Sequence, residues 1–298
     1  MSLRVTQNAV TSLMLAGLQS SSSRLSTLEQ QLSSGRRISK PSDDPVGTGQ
    51  AMLFNEQIAR TKQYQRNAND GLAWLGIADN ALQTGVNILQ RLQVLTTQAA
   101  NTGTADATAR ASILEEVKSL KEQMLAVANT TYQNRPIFGG TTSSPVAYAV
   151  NGSGTVVYQG DTGSVLRTVG DNVQVKVNID AAQAFGPPGN DVFTMFDTIA
   201  SDLQNNPGNL SNDLSLIAGA LDRMTSAQAT EGAAYNRITA MNNAAGQKLN
   251  TLTGNLSDVQ DVDTAQAVTE LTMQQVSYQA SLAAMARVLQ MSLTDFLR

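Results

Sequence analysis

The chain has 298 residues, which predicts two or three structural units and allows an elongated shape as readily as a globular one. Aromatics make up 4% and charged residues 15%, a mixture that suits long helices packed side by side better than an enzyme core anchored on large aromatics. A net charge of -4 without a basic block excludes the footprint of a nucleic-acid binder, and the absence of Cys and His removes disulfides, thiolate chemistry, His-bound metal and Ser-His-Asp catalysis.

No apolar stretch approaches the length of a membrane span, so membrane insertion is not expected. The run Leu13-Met14-Leu15-Ala16-Gly17-Leu18 is short and weakly preceded by charge, which argues against a general secretory signal; export is expected by another route. No catalytic residue, cofactor or metal ligand is assigned.

From Thr11 the sequence keeps a heptad frame, with Thr11, Leu18, Leu25 and Leu32 at one core position and Met14, Ser21, Leu28 and Gly35 at the other. Gly35 can stop this first helix. Pro41 then enforces an extended connector, and Ser42, Asp43 or Asp44 can cap a following helix with Pro45 in its first turn. Capping is a simpler reading of Asp43 and Asp44 than a pair of catalytic carboxylates.

Leu75, Leu82, Val86, Leu89 and Leu92 predict a second long helix ending near Asn101-Thr102-Gly103-Thr104. Ile113, Val117, Leu120, Met124 and Val127 predict a third. On it, Glu115 and Glu116 are adjacent and diverge by about 100 degrees, so they cannot easily share a substrate as a hydrolase would require.

Residues 136–180 change character, with Gly139-Gly140 and Asn151-Gly152-Ser153-Gly154 separating short β-rich runs such as Thr155-Val156-Val157-Tyr158. Val173, Val175, Val177 and Ile179 alternate with Gln174, Lys176 and Asn178, the period of a half-buried strand. Phe185-Gly186-Pro187-Pro188-Gly189 closes this insertion, and helix resumes at Val192. A fourth long helix runs through Leu210, Leu214, Ile217, Leu221 and Met224 to Leu256.

At the C-terminal end Val268, Leu271, Tyr278, Leu282, Met285, Leu289 and Phe296 follow a heptad frame interrupted by Gln275 and Ser292. The two end helices can pair if the chain doubles back. Up to Ser34 the only charges are Arg4, Arg24 and Glu29, and beyond Leu271 only Arg287, Asp295 and Arg298. Such uncharged flanks fit burial against several neighbours without stranded ions, and they also fit a polar, solvated surface.

The predicted fold is mainly α: long antiparallel terminal coiled-coil helices (1–44 with 256–298), a helical bundle (45–138 with 190–255) and a small β-rich insertion (139–189). Leu32-Ser33-Ser34-Gly35-Arg36-Arg37-Ile38-Ser39-Lys40-Pro41-Ser42-Asp43-Asp44-Pro45 resembles the N-terminal signature of the bacterial flagellin superfamily, in the form its hook-associated members carry. Tyr64-Gln65-Arg66-Asn67 with Asp70-Gly71 and Asp79-Asn80-Ala81-Leu82, Glu231-Gly232-Ala233-Ala234-Tyr235-Asn236-Arg237, Leu271-Thr272-Met273-Gln274-Gln275-Val276-Ser277-Tyr278-Gln279-Ala280-Ser281-Leu282 and the ending Met291-Ser292-Leu293-Thr294-Asp295-Phe296-Leu297 extend the likeness, toward the hook-filament junction branch. No family likeness is assigned to the β-rich middle.

That resemblance implies an inner tube made by terminal helices of adjacent subunits, a bundle layer around it and an insertion projecting outward. It implies a ring of subunits that joins the hook, through another junction protein, to flagellin and templates flagellin assembly. It further implies a flagellar export chaperone and a type III export route without a cleaved signal, with an extracellular destination. The assembly residues would be Leu18, Leu25, Leu28, Leu32, Leu271, Tyr278, Leu282, Met285, Leu289 and Phe296, with Gly35, Arg36, Pro41, Ser42, Asp43, Asp44 and Pro45 as connector. Filament flagellin is the nearest alternative and an intracellular coiled-coil adaptor a remote one.

Ile88–Gln98 also resembles the flagellin helix recognised by the innate immune receptor for flagellin. Arg91 is kept, but Gln93 and Val94 stand where the family has Arg and Glu, so Leu89, Leu92 and Leu95 read as helix packing.

Overall fold

The computed structural model describes the backbone of residues 2–101 and 106–296, and the side chains of 9–101 and 106–287. The loop positions 102–104 and the side chains of Leu289 and Phe296 lie outside the described residues. Seven α-helices are present in the described residues: α1 (Ser2–Ser34), α2 (Pro45–Ala100), α3 (Ala107–Ala128), α4 (Ala181–Phe185), α5 (Val192–Asn205), α6 (Leu210–Gln260) and α7 (Thr264–Phe296). Six short strands lie between α3 and α4. The fold is mainly α with a small β insertion, as the sequence predicts.

Contacts divide the chain into two compact units, Met1–Arg60 with Leu249–Arg298, and Thr61–Lys248. Helices α2 and α6 each contribute residues to both.

The second unit holds the main core. Ile113, Val117, Leu120, Met124 and Val127 are all buried on α3, as their spacing predicts, and so are Leu75, Leu82, Leu89, Leu92 and Leu95 on α2. The α3 start is fixed by Asp106, whose carboxylate accepts the Ala109 N–H at 2.7 Å, and α5 by Asp191 accepting from Thr194 at 2.8 Å. Arg91 reaches Glu116 at 2.6 Å and ties α2 to α3, while Glu115 turns to Lys118 at 2.7 Å. The two adjacent glutamates thus serve different cations.

The strands form three separate antiparallel pairs, not one sheet. β1 (Thr131–Tyr132) meets β2 (Arg135–Pro136) across Gln133 and Asn134, both at positive φ, as a two-residue hairpin turn demands. β3 (Tyr148–Val150) pairs with β4 (Val156–Tyr158), and β5 (Leu166–Gly170) with β6 (Val173–Lys176). The expected alternation fails at Asn178, which is buried. Its Oδ1 accepts the Val165 N–H at 2.7 Å and its amide donates to the Gly163 carbonyl at 2.9 Å, so the polar side chain replaces ladder bonds beyond the strand end.

The few aromatics concentrate where the hairpins meet the helices. Phe138, Tyr148, Phe185 and Phe193 form one cluster, with Phe138 edge-on to Phe185 at 4.9 Å and Tyr148 at 5.0 Å from Phe193. Trp74 packs edge-on to Tyr132 at 5.6 Å, and the guanidinium of Arg167 lies 5.9 Å from its ring while pairing with Asp70 at 2.6 Å. The short α4, which periodicity does not predict, delivers Phe185 into the first cluster.

Candidate assembly site

In the first unit, α1 ends at Ser34 because Gly35 turns the backbone to a φ of 70°, the left-handed stop its sequence position suggests. Residues 35–37 are then held against the turn between α6 and α7. The Gly35 carbonyl accepts from the Val262 N–H at 3.0 Å, Arg36 bridges to Asp261, and the Arg37 N–H donates to the Gln260 carbonyl at 2.7 Å. The Arg37 guanidinium donates to the Val259 carbonyl at 2.8 Å and to Asp44 Oδ2 at 3.4 Å. Carbonyls at a helix C-terminus have no partner within the helix and carry the negative end of its dipole, so a guanidinium there satisfies both demands.

The connector's carboxylates act as caps. Asp43 Oδ2 accepts from the Ser39 and Lys40 N–H groups at 3.1 and 2.9 Å, closing the turn around Pro41 and Ser42. Asp44 Oδ1 accepts the Gly47 N–H at 2.9 Å and caps α2, with Pro45 at the first helical position. Backbone hydrogen bonds hold both carboxyls below the usual aspartate range, and for Asp44 the guanidinium of Arg37 adds to the effect. Ile38, between Arg37 and Ser39 of the same connector, is buried. A Cβ on Gly47 would lie 2.5 Å from both Ile38 Cδ1 and Asp44 Oδ2, so a larger residue there would push the ends of these two side chains aside.

Beyond this clasp α1 and α7 run antiparallel. Gln274 donates to Ser21 Oγ at 2.7 Å, and the groove between the helices is lined by Met14, Leu18 and Arg24 on one side and Ser277, Ser281 and Ala284 on the other. Met14, Leu18, Ser21, Leu25 and Leu32 are half-buried and Leu28 is buried, so the predicted frame of α1 holds. On α7 the facing residues are Ala267, Leu271, Gln274, Tyr278 and Met285. The predicted frame is corrected here: Leu282 is 42% exposed and Val268 52%, outside the intramolecular seam. Leu271, Tyr278 and Met285 belong to two flanks of equal spacing, and the flank bearing the Gln274 amide is the one that finds a partner on Ser21.

The consequence is an uncovered apolar flank. Val268, Met273, Val276 and Leu282 on α7 and Val10, Leu13 and Leu15 on α1 are exposed, and among the described side chains of the two helices only Leu28 and Ala267 are buried. Gln274, Ala267 and the turn at 259–262 lie outside the site residues that the sequence pattern singles out. A signal existed for that turn: Asp263 before Thr264 is an N-cap pattern, and its carboxylate accepts the Ala265 N–H at 2.9 Å.

Two family models match the chain: the bacterial flagellin N-terminal helical region over residues 5–143, and the bacterial flagellin C-terminal helical region over residues 214–297. Flagellin of Bacillus subtilis strain 168 is 28% identical, over 96% of each chain. Flagellar hook-associated protein 3 of Escherichia coli strain K12 is 25% identical, over 90% of this chain and 91% of its own. Among solved structures, the hook-associated protein 3 of Legionella pneumophila superposes with a TM-score of 0.64 at 16% identity, covering 70% of this chain and 98% of that one.

Proposed function

The chain belongs to the bacterial flagellin family, and from that premise we propose that it is a structural subunit of the flagellum placed at the junction of hook and filament. Its work is packing, and no catalytic step is assigned to it. The observation that carries this reading is the terminal helix pair, which buries only Leu28 and Ala267 among its described side chains and leaves an apolar, nearly uncharged flank uncovered. Apolar area gains about 25 cal/mol for each Å² removed from water, so these flanks are stabilised by neighbours of the same design.

In this reading the terminal helices of adjacent subunits make the inner tube (1–44 with 256–298), the bundle (45–138 with 190–255) surrounds it, and residues 139–189 face outward. The apolar residues Leu18, Leu25, Leu28, Leu32, Leu271, Tyr278, Leu282, Met285, Leu289 and Phe296 are the assembly set. Leu282 then meets a neighbouring subunit, since it lies outside the seam within the chain. The connector from Gly35 to Pro45 sets where the tube layer ends. Subunits join a ring that meets another junction protein on the hook side and flagellin on the other, and they template the filament. Export follows the flagellar type III route with a dedicated chaperone.

The junction placement is supported by the Lys40-Pro41-Ser42-Asp43-Asp44-Pro45 form of the connector and by the likeness to hook-associated protein 3 along 90% of this chain. Filament flagellin is the second reading, favoured by the 28% identity to the Bacillus protein over 96% of the chain. Polymerisation separates them: a junction subunit stays short when purified and incubated alone, whereas growth into long filaments would favour flagellin.

A further inference from the structure

Beside the aromatic cluster of the second unit lies an apolar cleft of about 380 Å³. One wall is Thr155 with β4, and the other is formed by Ala181 and Ala182 of α4 with the turn at Gly186 to Gly189. Among the described residues β4 pairs with β3 alone. Along that ladder the Asn151 N–H donates to the Thr155 carbonyl at 2.9 Å and the Gln159 N–H to the Ala147 carbonyl at 2.8 Å, with Val157 opposite Ala149 between them. Bonded and non-bonded pairs alternate in an antiparallel ladder, so Val156 and Tyr158 turn their N–H and C=O groups away from β3, to the open edge. β3 contributes only Tyr148 to the cleft, which therefore runs along the open edge of β4.

Two further features describe what fits there. Tyr148 is 4% exposed and presents its ring to the cleft lining. Asp161, Asp180 and Asp191 are the charged residues of the lining, which holds no Lys or Arg. Part of their hydrogen-bonding capacity is taken: Asp161 accepts from the Thr141 and Gly163 N–H groups at 2.7 and 2.8 Å, Asp191 Oδ1 from the Thr194 N–H at 2.8 Å, and Asp180 Oδ1 pairs with Lys176 at 2.8 Å. A cation on an apolar stem needs only the negative field and the greasy walls.

We propose that this cleft is a docking groove for an extended segment of another protein, in which apolar residues alternate with Lys or Arg and which adds to β4 as a third strand. Main-chain bonds to Val156 and Tyr158 supply affinity, and the apolar walls and acidic mouth select the side chains. A second copy of this chain is a poor occupant: its net charge is -4, and where Arg36, Arg37 and Lys40 come together the backbone N–H groups of Arg37 and Lys40 are already bonded to Gln260 and Asp43.

The test uses the full chain and two fluorescent heptapeptides, one alternating lysine with valine and one alternating glutamate with valine. Anisotropy titration reads affinity, amide hydrogen exchange reads position, and thermal melting checks that each variant is folded. The lysine peptide binds at least about tenfold more tightly than the glutamate peptide, protects the Val156 and Tyr158 amides, and loses about tenfold in affinity on Asp180→Lys. Asp180→Asn preserves side-chain size and gives a smaller loss in the same direction. Equal binding of the two peptides, no binding up to about 1 mM, protection confined to other segments, or indifference to both Asp180 variants overturns the proposal. So does self-association through this edge that neither peptide competes.

Discussion

Arg37 and Val259 stand 222 positions apart in sequence, and the Arg37 guanidinium donates to the Val259 carbonyl at 2.8 Å. Through this bond, and the longer one to Asp44, a single side chain ties the end of α6 to the start of α2.

Arg37→Ala should therefore loosen the clasp. A hydrogen bond to a charged group contributes roughly 1.5–3 kcal/mol, and the half-exposed setting of Arg37 reduces that to about 1 kcal/mol. Hydrogen exchange should quicken several-fold at Val262 and Arg37, with core amides such as Met124 unchanged. Arg37→Lys should recover only part, because an ammonium cannot reach the two acceptors with a planar fork.

The helix pair and the assembly flank should separate by mutation. Leu28→Asp, at a buried position, should unpair α1 from α7 at a cost of about 3 kcal/mol. Leu282→Asp should leave the pair intact by circular dichroism yet prevent incorporation into flagella. Normal incorporation of the Leu282 variant would contradict the role given to the exposed flank.

Glu231 offers a pH test. It is buried on α6 with Oε2 unpartnered, and burial first, then the nearby charge of Asp79, pushes its carboxyl up to about 8 from an ordinary 4.5. A carboxyl whose folded value is raised favours the folded state below its unfolded value, and that contribution is lost as pH rises toward 8. Glu231→Gln should thus exceed the parent in stability at pH 9 by on the order of 3 kcal/mol, with the gap closing toward pH 4.5. Urea unfolding at the two pH values measures it.

Asp43 and Asp44 should show the opposite dependence. Their folded values are depressed by backbone donors, so their contribution is complete above about pH 4 and is lost as pH falls through the lowered values. Amide exchange at Lys40 and Gly47 should therefore accelerate, relative to the rest of the first unit, between pH 4 and pH 2.

The helices were legible in the sequence because their apolar spacing is local: Ile113, Val117, Leu120, Met124 and Val127 sit on one buried face with no need of long-range information. The connector was legible because Gly35, Asp44 and Pro45 act on their own turns. The seam of α7 was not, since Leu271, Tyr278 and Met285 are shared by two flanks, and only the position of Ser21 selects Gln274 over Gln275. Nor could the reach of Arg37 to Val259 be read, because it depends on two chain ends meeting. Asn178 misled for a related reason: its polar side chain looks outward in a period-two pattern, but the missing ladder bonds of Gly163 and Val165 draw it inward.

The junction placement is tested most directly by gold labelling of this subunit in intact flagella. One narrow band at the boundary of hook and filament is the expected result. Label distributed along the filament would contradict it and identify a filament flagellin.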